Sequence, residues 1–156
     1  MLPYCLISGD EPEWVDLGDV KTDDDALVFG ERARALLVPA PVPELRKLYR
    51  DAGVCPACGG SALTRDGSAV CPRCGGKSKT TEDPDVVLAA VRKYVRGWEK
   101  FIAAKPSEGG GYEPFELPYS EATRDLLARK MVLAATVLIA KAVELYNVVN
   151  EEREGN

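Results

Sequence analysis

The chain contains no histidine and no glutamine, and its asparagines are confined to Asn147, Asn150 and Asn156. Each absence excludes something. Without histidine, no Ser-His-Asp or Cys-His nucleophile system can be assembled. No imidazole-ligated catalytic metal can be held either. An enzyme built on this chain would have to rely on carboxylates, Lys, Tyr, Cys or a cofactor. Scarce amides beside 29% charged residues match the composition expected of a thermophile protein. Long apolar runs are also missing. The longest, Met131 to Ala140, is interrupted by Lys141 after ten residues. It is expected as a buried helix, with no membrane span. Met1-Leu2-Pro3-Tyr4 shows no basic stretch followed by an apolar one, so a soluble cytoplasmic protein is expected.

What is present supports one ordinary domain or two very small ones. The chain has 156 residues, of which 46% are apolar, enough to build a core. The net charge of −5 is uneven. Residues 1–43 hold nine acids and three bases, residues 44–105 seven acids and twelve bases, and residues 106–156 nine acids and five bases. An acidic protein with a basic middle can carry an anion-binding surface that its overall charge conceals.

The expected fold is α+β, in three parts. Residues 1–43 read as a β-rich region. Tyr4–Ile7 and Trp14–Leu17 are short strands ahead of the turn signals Gly9-Asp10 and Gly18-Asp19. Leu27–Phe29 and Leu36–Val38 read as a hairpin about Gly30, with a capped helix as the alternative for 26–38. Residues 44–80 comprise a short helix ending at Gly53 and a cysteine cluster. Residues 81–156 read as an antiparallel helical pair. The first helix is predicted over 85–105, with Asp83 and Pro84 at its start and Val87, Val91, Tyr94, Val95, Trp98, Phe101 and Ile102 at helical spacing. A flexible tether, Ser107–Gly111, leads on. The long last helix is predicted from Ser120 to about Glu152. Leu127, Met131, Ala134, Leu138, Leu145 and Val148 form a seven-residue seam on it, with Lys141 as its charged member. Its other face, Leu133, Val137 and Ala140, is apolar too. Such a helix needs more than one neighbour, and homo-oligomerisation through the seam is expected.

The strongest chemical signal is Cys55-Pro56-Ala57-Cys58-Gly59-Gly60 and its repeat, Cys71-Pro72-Arg73-Cys74-Gly75-Gly76. Two thiolates separated by two residues reach one ion when the chain turns tightly between them. Glycine after the second cysteine permits positive φ, which turns backbone N–H groups toward the sulfurs. Between the repeats, Asp66-Gly67 is a strong hairpin signal that returns Cys71 to Cys58. A disulfide pairing is the competing reading, but it requires neither the repeated proline nor the paired glycines. Cys5 stands alone and is expected to be a buried thiol.

This segment resembles the zinc-ribbon family, and the likeness covers residues 55–76 only. It implies a closed four-cysteine site for structural zinc, with iron as the lesser alternative. Ribbons of this kind often serve in transcription, replication, RNA processing and translation. That resemblance and the basic middle together lead to an expected non-enzymatic function: binding of nucleic acid, single-stranded DNA or RNA first. The candidate contacts are Arg65, Arg73, Lys77 and Lys79 on the ribbon and Arg92, Lys93, Arg96 and Lys100 on the following helix. Tyr94, Trp98 and Phe101 are either stacking partners for bases or core residues. The alternative function is an assembly or adaptor subunit with a purely structural zinc. No acid–base pair with catalytic spacing is evident.

Overall fold

The computed structural model describes residues 11–18 and 27–154. Expectations placed on Tyr4–Ile7 and Cys5 lie outside them. The element order is β1 (Glu13–Asp16), β2 (Leu27–Leu37), α1 (Val42–Asp51), α2 (Pro84–Tyr94), β3 (Val95–Pro106), β4 (Tyr112–Glu116), α3 (Glu121–Lys130) and α4 (Val132–Glu154). The strands form one antiparallel sheet in sequence order. The fold is therefore α+β with a long C-terminal helix, as expected. Because β2 pairs with β3, the segments on either side of the ribbon share one sheet. The ribbon is an insertion between α1 and α2.

Three elements of the sheet depart from the sequence reading. Residues 27–37 form one continuous strand instead of a hairpin. Gly30 lies within a register irregularity, where β2 residues between Phe29 and Arg34 face the single residue Lys100 of β3. The helix predicted over 85–105 stops at Tyr94, and the chain continues as β3. Bulges explain the false helical spacing. The register slips at Arg96, and Lys100 takes a left-handed backbone (φ 63°). Val95, Trp98 and Phe101, three residues apart, consequently all face inward, where a regular strand alternates every two. The Ser107–Gly111 tether is the loop of the β3–β4 hairpin, closed by the Ser107 amide donating to the Gly111 carbonyl at 3.0 Å. Pro114 is accommodated because β4 is an edge strand.

Helix starts follow their sequence signals. The Asp83 side chain accepts from the Asp85 amide, with Pro84 at the first helical position. Ser120 and Thr123 form a reciprocal capping box. The last helix is nevertheless broken. Met131 separates α3 from α4 with a non-helical backbone, φ −129° and ψ 58°, at a point no proline or glycine marks.

One core lies between sheet and helices. It includes Leu17, Leu37, Leu45, Val87, Val91, Tyr94, Phe101, Leu127 and Leu138. Trp98 stacks on Phe101 (ring centroids 4.8 Å apart, interplanar angle 3°) and meets Tyr119 edge-on. Its indole N–H donates to the Leu117 carbonyl at 2.9 Å. The Tyr94 hydroxyl donates to Glu44 at 2.9 Å, tying α2 to α1. Burial first, then the Glu44 carboxylate, pushes the Tyr94 pKa far above its usual 10. Of the predicted oligomerisation seam, Leu127, Ala134 and Leu138 are fully buried within this chain, Met131 and Leu145 pack partly against the core, and only Val148 is half exposed. The seam thus joins the chain's own body. The opposite face of α4 is the one left open, with Leu133 at 45% exposure. By length and composition Val132–Val149 could cross a membrane, with 28% of it buried here. This revises the reading that no segment reaches that length: the seven-residue seam and Lys141 disguised a longer apolar helix.

Candidate metal centre

The two cysteine repeats fold into matching turns. The Gly59 amide donates to the Cys55 carbonyl at 2.8 Å, and Gly75 to Cys71 at 2.9 Å. Ser61 donates to Cys58 at 3.3 Å and Lys77 to Cys74 at 3.1 Å. Gly59 and Gly75 sit at φ 64° and 63°. Gly60 (φ 103°) has a second constraint, since a Cβ there would lie 3.2 Å from the Lys79 carbonyl oxygen. Gly59 has nothing within 4 Å of a Cβ. Gly60→Ala is therefore expected to weaken the metal-bound ribbon more than Gly59→Ala, each by about 1–2 kcal/mol for the left-handed backbone, with the contact adding to Gly60. Chelator competition on the two variants checks the order.

Asp66-Gly67 turns the hairpin as predicted. Asp66 accepts from the Thr64 hydroxyl at 2.7 Å, and from the Ser68 amide at 3.1 Å and hydroxyl at 2.8 Å. These donors hold its carboxyl down at about 2. The hairpin reduces to a single bridge, Leu63 to Val70. The Cys71 amide donates to the Ala62 carbonyl at 2.9 Å and closes the loop. At the base, the Cys55 amide donates to the Ser78 hydroxyl at 2.8 Å, and the Lys79 amide to the Gly53 carbonyl at 3.0 Å. Ser78 escaped the sequence reading because nothing in its spacing marks it as a support for a ligand.

This folding brings the four sulfurs of Cys55, Cys58, Cys71 and Cys74 within 4.8 Å of one another. Cys55 and Cys71 are 3.9 Å apart, and Cys58 and Cys74 are 3.8 Å apart. All four thiols are free. Sulfurs at ~2.3 Å from a tetrahedral ion lie ~3.8 Å apart, whereas a disulfide needs ~2.05 Å. The donor set fits a metal ion. Burial acts to raise the Cys58 thiol, but the amides of Gly60 and Ala62, with Cys55 and Cys74, outweigh it and bring it to about 6. Cys74 is likewise lowered: burial opposes, and the amides of Gly76 and Ser78 prevail. The donors sit two and four residues after the second cysteine of each repeat. They favour the thiolate that a metal requires. For Cys71 the Cys74 amide lowers the pKa, but burial and the neighbouring thiols raise it further.

The basic candidates divide into two groups. Those beyond the ribbon are engaged. Arg92 grips Asp125 through two nitrogens, at 2.8 and 3.3 Å. Lys93 lies 3.2 Å from Glu44, and Lys100 3.8 Å from Glu116. Arg96 donates to the Arg92 carbonyl at 2.8 Å. Tyr94, Trp98 and Phe101 are 0, 5 and 0% exposed, which assigns them to the core. On the ribbon, Lys79 pairs with Asp85 at 3.3 Å. Arg65, Arg73 and Lys77 are exposed and make no ion pair among the described residues. Beside them Leu63 and Val70 are 42% and 57% exposed. This apolar pair was legible in principle, since 63 and 70 face each other across a turn at 66–67.

Comparisons of the chain with models of known families, with curated proteins and with solved structures return no match.

Proposed function

We propose that this is a non-enzymatic zinc-ribbon protein that binds nucleic acid, single-stranded DNA or RNA first, through the ribbon itself. The observation that carries this reading is the contrast in charge pairing. Arg65, Arg73 and Lys77 stand exposed and unpaired among the described residues, while the bases on and after α2 are already matched by acids or a carbonyl. A phosphate backbone gains most from cations that give up no partner. The exposed Leu63 and Val70 add apolar surface for bases or sugars. Zinc suits four thiolates with no open position, and its role is to hold the hairpin in shape.

The test is fluorescence anisotropy with labelled single-stranded DNA, RNA and duplex over a salt series. Three phosphate contacts predict a slope of log K against log salt of about −2 for a single strand. Arg65→Ala/Arg73→Ala/Lys77→Ala together are expected to abolish binding, while Arg92→Ala/Arg96→Ala leave it nearly unchanged. No binding at low salt, or equal losses from both sets, would refute the reading. The second reading, an assembly subunit, is favoured by the apolar Leu63–Val70 pair. It gains if binding is absent.

A further inference from the structure

A hollow of about 180 Å³ lies between α1 and the first cysteine turn, lined by Arg46, Tyr49, Arg50, Val54, Pro56 and Thr81 among others. Its shape follows from local structure. Arg46 and Arg50 are one helical turn apart on α1, so they share a face. The Val54 amide donates to the Tyr49 carbonyl at 2.9 Å, and the Lys79 amide to the Gly53 carbonyl at 3.0 Å. These bonds hold the cysteine turn against the end of α1. Val54 is buried, Tyr49 is half-buried, and with Pro56 they give the hollow an apolar wall. Arg46 and Arg50 are exposed and make no ion pair among the described residues.

We infer that this hollow takes one base of a single strand, with the flanking phosphates on Arg46 and Arg50. The inference rests on the nucleic-acid reading of the ribbon and extends its site. Volume is the first reason. The hollow is smaller than the ~300 Å³ at which pockets for whole small-molecule ligands begin, so it suits one part of a larger molecule. Charge is the second. A divalent ion on four thiolates leaves a net charge of about −2, and Cys55 lines the hollow. The group inside must therefore be uncharged, while anions belong at the two guanidiniums. A base between two phosphates has that distribution, and a bare phosphate or an acidic side chain does not. Continuity is the third. On its other side the same cysteine turn borders a groove lined by Ala57, Cys58, Leu63 and Arg65. A strand held at Arg65 has only this turn to cross before it reaches Arg46 and Arg50. Tyr49 offers a ring against which the base can pack. A duplex would have to unstack and unpair a base to fill the hollow, which favours a single strand.

Anisotropy on the full metal-bound chain, with single strands of about 4 to 16 nucleotides, tests it. Strands confined to the ribbon are expected to keep a salt slope of about −2. Strands that reach the hollow are expected to steepen to about −3.5, through two further phosphates at about 0.7 each. Arg46→Ala/Arg50→Ala is expected to return long strands to the shallower slope. Thr81→Met fills the hollow from an exposed position without touching a cation. It is expected to weaken long strands about tenfold at unchanged slope. Photo-cross-linking with iodouracil-substituted strands is expected to mark Tyr49 in the wild type and not in Thr81→Met. Binding that Arg65→Ala/Arg73→Ala/Lys77→Ala abolishes, but that both changes at the hollow leave intact, overturns the inference and leaves the ribbon reading standing. A slope that depends on the arginines, with no effect of Thr81→Met and no adduct at Tyr49, also overturns it, since the arginines then hold phosphates alone. Absence of binding by every strand refutes both.

Discussion

Cys71→Ser is expected to lose the bound metal and unfold residues 53–80 while the sheet and helices keep their structure. Cys71 is 2% exposed, and its amide closes the hairpin on Ala62. With three thiolates the site is no longer closed. Structural zinc in small peptides contributes on the order of 10–16 kcal/mol to folding at neutral pH. The ribbon has little else to hold it: its hairpin has one bridge, and both members of that bridge are exposed. The effect is local because, among the described residues, the main core contains no cysteine and, between Leu45 and Val87, only Leu48 and Tyr49 of α1 pack against it, which limits its dependence on the ribbon to the α1–α2 connection. Hydrogen exchange by mass spectrometry, with and without chelator, checks it. Fast exchange is expected through 53–80, with protection retained in β2, β3 and α2. Collapse of protection throughout would show that the metal holds the whole body.

Phe101→Ala is expected to destabilise the body by about 3–5 kcal/mol, the usual cost of deleting a buried aromatic. Phe101 is fully buried and stacks on Trp98, which adds an aromatic contribution beyond area. The metal site should remain intact in the folded fraction. Urea unfolding followed through tryptophan emission, alongside metal content, separates the two. A change below about 1 kcal/mol would fit an exposed side chain, as the base-stacking role for this aromatic required. The two variants act on opposite parts of the molecule, so their effects are expected to be nearly additive.

The ribbon was legible because its constraints are short-range and chemical. Two thiolates, two residues and a glycine define a turn wherever they occur, and the Asp66-Gly67 hairpin needs only its neighbours. Helix starts at Asp83 and Ser120 were legible for the same reason. What the sequence concealed depends on pairing across the sheet. The bulge at Arg96 and the left-handed Lys100 convert a two-residue alternation into steps of three, which imitate a helix. The seam that runs over α3 and α4 was correctly read as apolar, but periodicity does not say whose core a stripe enters. Leu127, Ala134 and Leu138 entered their own chain's. The basic residues after Pro84 were visible as charges, while their partners Glu44, Glu116 and Asp125 are distant in sequence. Only the assembled fold shows that these cations are matched while Arg65, Arg73 and Lys77 of the ribbon make no ion pair among the described residues.

The most direct test of the central claim is X-ray absorption at the zinc edge on the purified protein, with metal content measured on the same sample. One zinc per chain with four sulfur neighbours at ~2.3 Å, and no oxygen or nitrogen neighbour, is the predicted result. Protein that purifies without metal and with its cysteines paired as disulfides, or a zinc that keeps a water ligand, would contradict a closed four-thiolate centre.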